Sequence, residues 1–185
     1  MIFIQMTGLS GAGKSTIATN VKKALQSSGY QVEVIDGDEY RQHLCRDLGF
    51  SKADRNENIR RLAFVGLKLC SFNVVVILSA INPYEEIRAE IKSQSSLVKT
   101  VWVNCDLQTL IHRDTKGLYS RALLPDGHTD KLLNLTGVND PFDTPKDFDL
   151  KIDTHKETTL ESESKLLDFI MQHIELRDKR CISNK

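Results

Sequence analysis

The chain has 185 residues, 40% of them hydrophobic and 27% charged, and its 25 basic and 25 acidic side chains balance to zero net charge. That length suits one α/β domain with a core of its own, and the neutral balance gives no bulk electrostatic reason to bind nucleic acid. No apolar run approaches the ~20 residues of a membrane-spanning helix, no basic leader precedes the first apolar run, and Cys45, Cys70, Cys105 and Cys181 show neither metal nor disulfide spacing. The expectation is a single domain over 1–185, in a reducing cytoplasm, with no membrane and no nucleic-acid partner.

A first strand is predicted at 2–6, and it runs into Gly8-Leu9-Ser10-Gly11-Ala12-Gly13-Lys14-Ser15-Thr16. This is the phosphate-loop spacing G-x-x-x-x-G-K-[ST]. A strand delivers the chain to a tight turn whose backbone N–H groups close on a phosphate, and the helix that follows adds its positive dipole end. Gly8, Ser10, Gly11, Ala12, Gly13, Lys14, Ser15 and Thr16 are therefore the predicted nucleoside-triphosphate loop, with Lys14 reaching the β- and γ-phosphates and Ser15 ligating Mg²⁺.

A helix over 14–27 closes at Ser28-Gly29, and a second strand spans 31–35. Asp36-Gly37-Asp38 follows at the carboxyl edge of the sheet, where ligands bind in open α/β folds. One of the two carboxylates there can hold Mg²⁺ while the other accepts the proton of an attacking hydroxyl. Asp38 is also expected to cap a helix over 38–46. A helix over 54–71, capped by Asp54, carries a core stripe of Ile59, Leu62, Ala63, Gly66 and Cys70. Arg55 and Asn58 share one face of it. Together with Arg41 and the aromatic Phe50 they suit an anionic ligand bearing a flat ring, although each charge alone reads more simply as a solvated helix face.

The continuously apolar strand at 73–79 is expected at the centre of a parallel sheet. A helix over 83–93, with Asn82 as cap and Pro83 in its first turn, leads to a strand at 97–104 and a helix at 106–113. Trp102, Cys70 and Cys105 read as core residues. The segment 115–147 holds Gly117, Pro125-Asp126-Gly127, Gly137, Pro141 and Pro145 without periodicity, which predicts a lid. A strand at 148–152, a helix at 157–175 and a fraying tail from 177 to 185 complete the pattern. The five histidines show no metal spacing, and His128 in the lid is the single one given a possible role. Strands alternating with helices predict a three-layer sandwich, a five-stranded parallel sheet with helices on both faces.

GLSGAGKST, IDGDEYR at 35–41, LGFSKADRNENIRR at 48–61, INPYEEIR at 81–88, RDTKGLY at 113–119 and LTGVNDPFDTP at 135–145 together resemble the adenylylsulfate kinase family. The resemblance covers nearly the whole chain. It implies transfer of the ATP γ-phosphoryl group to the 3′-hydroxyl of adenosine 5′-phosphosulfate, with Mg²⁺ as cofactor and a homodimer as the assembly. Carried over by position, Asp38 is the base and, with Lys14, the catalytic pair; Ser15, Asp36 and Asp38 hold Mg²⁺. Arg41, Arg55 and Asn58 grip the phosphosulfate and ribose, Phe50 stacks on the acceptor base, and Arg113 covers the ATP adenine. Ile81, Asn82, Lys116, Leu118 and Leu135 complete the acceptor site.

The chain also departs from that pattern. Asn82 replaces a serine, which excludes a phosphoserine intermediate there. Leu135 stands where an aromatic usually faces Phe50, at a cost of about 1 kcal/mol of stacking. Ser120 replaces a common lysine, and the stretch 124–134 is several residues longer than usual. These changes lie on the acceptor side, so the alternative is a paralogue of the same fold acting on another nucleotide, such as cytidine diphosphoramidate. A shikimate or nucleoside kinase, an inactive ATP-binding module and a GTPase switch fit less well; the last lacks the guanine-reading N-K-x-D.

Overall fold

The computed structural model describes residues 1–183, with side chains to 176; Asn184 and Lys185, the end of the tail expected to fray, and the side chain of Cys181 lie outside the described residues. Five strands form one sheet: β1 (Phe3–Thr7), β2 (Val32–Asp36), β3 (Val75–Ser79), β4 (Val98–Asn104) and β5 (Leu150–Asp153). Their order is β2-β3-β1-β4-β5 and every neighbouring pair is parallel. β1 and β3 are buried at all five positions, which is why β3 reads as a continuous apolar run up to Ser79 and why the Gln5 and Thr7 of β1 must find partners inside the fold.

Helices cover both faces. α1 (Lys14–Ser27) and α7 (Thr159–Ser183) pack on one side, where Ile4, Met6, Ile17, Val21, Leu25, Ile77, Val101, Leu166 and Ile170 form one core. α3 (Lys52–Ser71) and α4 (Glu85–Gln94) pack on the other, over Phe3, Ile35, Ile59, Leu62, Ala63, Leu78, Ile87 and Ile91. The predicted stripe of α3 is buried at all five positions. Short helices α2 (Gly37–Leu44), α5 (Leu107–Arg113) and α6 (Leu118–Ala122) gather at the carboxyl ends of the strands. The family-like fold read from the sequence is the fold present, a three-layer α/β sandwich around a parallel sheet.

Local details differ from the expectation. α2 is capped by Asp36, whose side chain accepts from the Asp38 and Glu39 amides, and not by Asp38. Ser51 caps α3 and Asp54 is its reciprocal partner three residues in, a capping box that a search for the first acidic residue overlooks. α4 begins at Glu85 behind Tyr84, so Asn82 and Pro83 precede the helix. The segment 115–147 contains α6 and a bridge between Thr136 and Asp140 instead of being wholly irregular. α7 runs past its predicted end, to Ser183. Trp102 is half-buried, its ring edge on Phe148 and Lys151 above its face at 4.7 Å, because β4 meets the short edge strand β5 there.

A buried polar network fixes the loop behind β3. Gln5, in the middle of β1, donates to the Arg88 carbonyl and to Thr100 Oγ1, and accepts from Asn82 Nδ2. Thr7 Oγ1 donates to the carbonyls of Ile81 and Asn82. Arg88, 2% exposed, donates to the Asn82 carbonyl, to Glu85 and to the Asp143 carbonyl, which ties the end of the 115–147 segment to the sheet.

Candidate active site

The phosphate loop follows β1 at the point where the chain order of the sheet reverses, between β3 and β4. Gly8 is required there by crowding: a Cβ on it would lie 2.2 Å from the Val103 carbonyl oxygen. The loop is held from three sides. The Gly8 amide donates to Ile81, the Tyr119 hydroxyl to the Ser10 carbonyl and Thr154 Oγ1 to the Ala12 carbonyl. Burial pushes the Tyr119 hydroxyl up to about 12, so it stays a donor across the neutral range.

Lys14 lies inside this loop and is 8% exposed; its ammonium donates to the Gly8 and Leu9 carbonyls, each at 2.8 Å. Burial foremost, and Lys116 next, bring its pKa from 10.5 to about 8, against the opposing pull of Asp38 and Asp36. Ser15 Oγ donates to Asp36 Oδ2 at 2.7 Å and lies 3.2 Å from Ser79 Oγ. Asp36 therefore does two jobs: one oxygen caps α2 and the other meets Ser15. Asp38, with a side chain 76% exposed, projects beyond the pair and takes a 2.6 Å ion pair from Lys116 across the cleft.

A cleft of about 610 Å³ opens above these groups, within the size range of small-molecule sites. Its lining includes Ser10, Gly11, Gly13, Lys14, Ser15, Thr16, Asp36 and Asp38, and also Phe50, Arg55, Ile81, Leu118, Leu132 and Leu135. Phe50 is 55% exposed, and its ring lies against the Arg41 guanidinium at 4.5 Å and that of Arg55 at 5.6 Å. Arg41 also donates to the Leu48 and Gly49 carbonyls, so it braces the Phe50 loop from behind and is not among the lining residues. Arg55 lines the cleft and bridges it, donating to the Phe50 and Asn134 carbonyls and pairing with Asp140 at 3.3 Å.

The sequence-predicted set is thus largely gathered, but Arg41, Asn58, Asn82, Arg113, Gly8 and Ala12 lie outside the lining. Asn82 is 1% exposed and turned into the core toward Gln5, so its amide does not reach the cleft. Its backbone is left-handed (φ 46), a conformation that Asn tolerates better than most residues. Asn58 is buried and lies outside the lining, one turn along α3 from Arg55. Arg113 stands on the other flank of the phosphate loop, donating to the Thr154 carbonyl at 2.9 Å. Ala12 and Gly8 lie beneath the loop surface and act through its shape. His128 accepts from the Asp130 amide within its own turn, a local loop role.

Sequence reasoning missed Ser79, Ala80, Thr115, Leu132, Asn134 and Thr136 in the lining. Ser79 and Ala80 carry a usable signal, since they end a central strand beside the phosphate loop. Leu132 and Asn134 carry none, because only the folded path of 115–147 brings them over Phe50. It also missed why Asp114 belongs beside Arg113: its carboxylate accepts from the Tyr119 and Ser120 amides and starts α6. The donor set Ser15 hydroxyl, Asp36 and Asp38 carboxylates offers hard oxygens only, which fits Mg²⁺.

Residues 1–153 match the model of the adenylylsulphate kinase family. The adenylyl-sulfate kinase of Chloroflexus aurantiacus is 42% identical over 177 residues, covering 96% of this chain and 90% of the relative. That of Halothermothrix orenii is 41% identical, covering 91% and 89%. Among solved structures, the Mycobacterium tuberculosis APS kinase CysC in complex with AMPPNP and APS superposes with a TM-score of 0.84 at 34% identity, over 92% of this chain and 97% of that one. A match that spans the phosphate loop, the Asp pair and the 115–147 segment together leaves one assignment: the chain belongs to the adenylylsulphate kinase family.

Proposed function

We propose that the protein transfers the γ-phosphoryl group of ATP to the 3′-hydroxyl of adenosine 5′-phosphosulfate. The observation that carries the reading is that Lys14, Ser15, Asp36 and Asp38 line one cleft together with Phe50, Leu118, Leu132 and Leu135. The kinship with a kinase solved with AMPPNP and APS supports it.

In this reading the phosphate loop receives the triphosphate, and Lys14 leaves the Gly8 and Leu9 carbonyls to meet the β- and γ-phosphates. Ser15, Asp36 and Asp38 hold Mg²⁺, which when bound neutralises charge on the phosphate oxygens. Asp38 takes the proton of the attacking hydroxyl once the acceptor displaces Lys116 from its carboxylate. Lys116, released, is free to meet the transferring phosphate or the acceptor's anionic group. Phe50 stacks on the acceptor base and the leucines cover its other face, apolar contact in place of a second ring. Arg55, with Arg41 behind the Phe50 loop, supplies positive charge for the phosphosulfate, and Arg113 shapes the far flank where the ATP base sits. Ile81 and the main chain beside it form the floor. Residues 115–147 act as the lid that excludes water, so that the γ-phosphoryl group is not lost to hydrolysis. The domain is single and the assembly a homodimer, which light scattering on the purified protein tests.

Initial rates with ATP, Mg²⁺ and a panel of adenosine 5′-phosphosulfate, cytidine diphosphoramidate, AMP and CMP decide the acceptor. Saturable turnover of adenosine 5′-phosphosulfate above the others is the expected result. Turnover of a cytidine compound alone would reassign the acceptor slot and leave the phosphate-loop end as read.

A further inference from the structure

We propose that Cys105, Asp106 and His155 form a site for a thiophilic divalent cation such as Zn²⁺, separate from the Ser15–Asp36–Asp38 set. β4 and β5 are neighbours, with Asn104 paired to Asp153, and the chains leaving them carry Cys105-Asp106 and Thr154-His155. The Thr154 amide donates to the Asn104 carbonyl at 2.9 Å, which fixes one chain against the other. The thiol sulfur, a carboxylate oxygen and an imidazole nitrogen then lie within 4.8 Å of one another.

His155 supplies the observation that asks for a ligand. Its Nδ1 is buried without a hydrogen-bond partner and points toward Asp106 Oδ2, 4.0 Å away. Buried polar atoms are nearly always satisfied, and an unpartnered ring nitrogen beside a carboxylate is satisfied by a cation that the two share. Asp106 is prepared for it. The Thr109 amide and hydroxyl each donate to one of its oxygens, which holds the carboxyl below its usual range. A lone pair remains on Oδ2, and the side chain is 44% exposed, which opens a path from solvent.

The donor types select the ion. Sulfur and imidazole nitrogen favour Zn²⁺ over Mg²⁺, and three protein ligands leave a fourth position for water. Tetrahedral bonds of about 2.0–2.3 Å put ligand atoms roughly 3.3–3.8 Å apart, so closure from the observed spacing needs about 1 Å of side-chain movement. Burial raises the Cys105 thiol, so binding must expel its proton to solvent, one per ion. The nearby Arg113 guanidinium, its Nη1 3.7 Å from Cys105 Sγ, donates an N–H to the sulfur and serves a bound thiolate as an outer partner. Asp153, paired with Lys151 at 3.1 Å, is the other carboxylate that acts on His155. Occupancy would pin the two loops that brace the phosphate loop through Thr154 and Ala12.

The test uses the full-length, reduced, nucleotide-free protein in excess Mg²⁺, titrated with Co²⁺ for its thiolate charge-transfer absorption and then with Zn²⁺ against a chromogenic chelator. One equivalent should bind, with the absorption band and release of about one proton. Cys105→Ala should abolish the band, and His155→Asn should weaken binding at least tenfold, while Asp36→Asn leaves both unchanged. His155→Asn, at a partly exposed loop position, carries the test if Cys105→Ala fails to fold. No saturable binding by the wild type, or a band that survives in His155→Asn at unchanged affinity, would overturn the proposal.

Discussion

Lys14 makes a quantitative prediction about nucleotide binding. Its fall from 10.5 to about 8 in the empty protein corresponds to about 3 kcal/mol of preference against the ammonium form. The leading cause is burial within a loop that offers only two carbonyls, and the second is the Lys116 charge nearby. A triphosphate brings several negative charges to this ammonium and restores its proton affinity. Binding should therefore take up protons, about a tenth of one per site at pH 7, half at pH 8 and nine-tenths at pH 9 if the bound lysine is fully charged throughout. The sign for stability follows from the same depression. Between pH 8 and 10.5 the unfolded chain holds more protons than the folded one, so the empty protein gains stability as pH rises through that window. Isothermal titration calorimetry of AMPPNP and Mg²⁺ in buffers of differing ionisation enthalpy reads the uptake directly. Lys14→Met should remove the rise between pH 7 and 9. Uptake that stays flat across this range in the wild type, or an equal rise in Lys14→Met, would refute the assignment of the depressed group to Lys14.

Three further outcomes are expected. Asp38→Ala should keep the circular dichroism and melting behaviour of the wild type, since its side chain is 76% exposed, yet lower kcat on the order of a hundredfold or more; a rate near wild type would remove it from the chemistry. Gly66→Ala should destabilise by about 1–3 kcal/mol, because its Cβ would stand 2.2 Å from the Phe3 ring in a packed core. Urea denaturation measures this, and Phe3→Leu in the same chain should recover part of the loss. Arg88→Met should cost about 3–5 kcal/mol by leaving its ion-pair partner Glu85 and two buried carbonyls unpaired, and it should raise the acceptor KM by freeing the Asp143 end of the 115–147 segment. A melting temperature and KM both at wild-type values would exclude that anchoring role.

The legible parts of this protein were those coded by local rules. The phosphate loop needs glycines, a lysine and a hydroxyl at fixed spacing, so Gly8, Gly13, Lys14 and Ser15 declare themselves in one dimension. β3 announces a central strand because both of its faces are covered. The α3 stripe repeats at helical spacing because one face of the helix meets the sheet. Errors arose where a residue's neighbours come from elsewhere in the chain. Asn82 looks like a helix cap and a substrate contact, but Gln5 and Thr7 of β1 draw the loop into the core. The Asp38 cap is a local error of another kind, since the helix starts two residues earlier and Asp36 takes the amides.

The sequence by itself determined the class of fold, the end of the sheet that carries the phosphate-loop motif and the family, because these rest on periodicity and on short contiguous motifs. Only the tertiary structure decided which side chains share the cleft. Leu132 joins Phe50 across more than eighty residues, Lys116 crosses to Asp38, and Arg55 reaches Asn134 and Asp140. The physical reason is that the 115–147 segment has little local preference of its own: beyond the local Asp114 contacts that start α6, it is held by Tyr119, Arg55 and Arg88, whose partners no window of sequence contains. The same holds for Cys105, Asp106 and His155, which become one group because β4 and β5 end side by side.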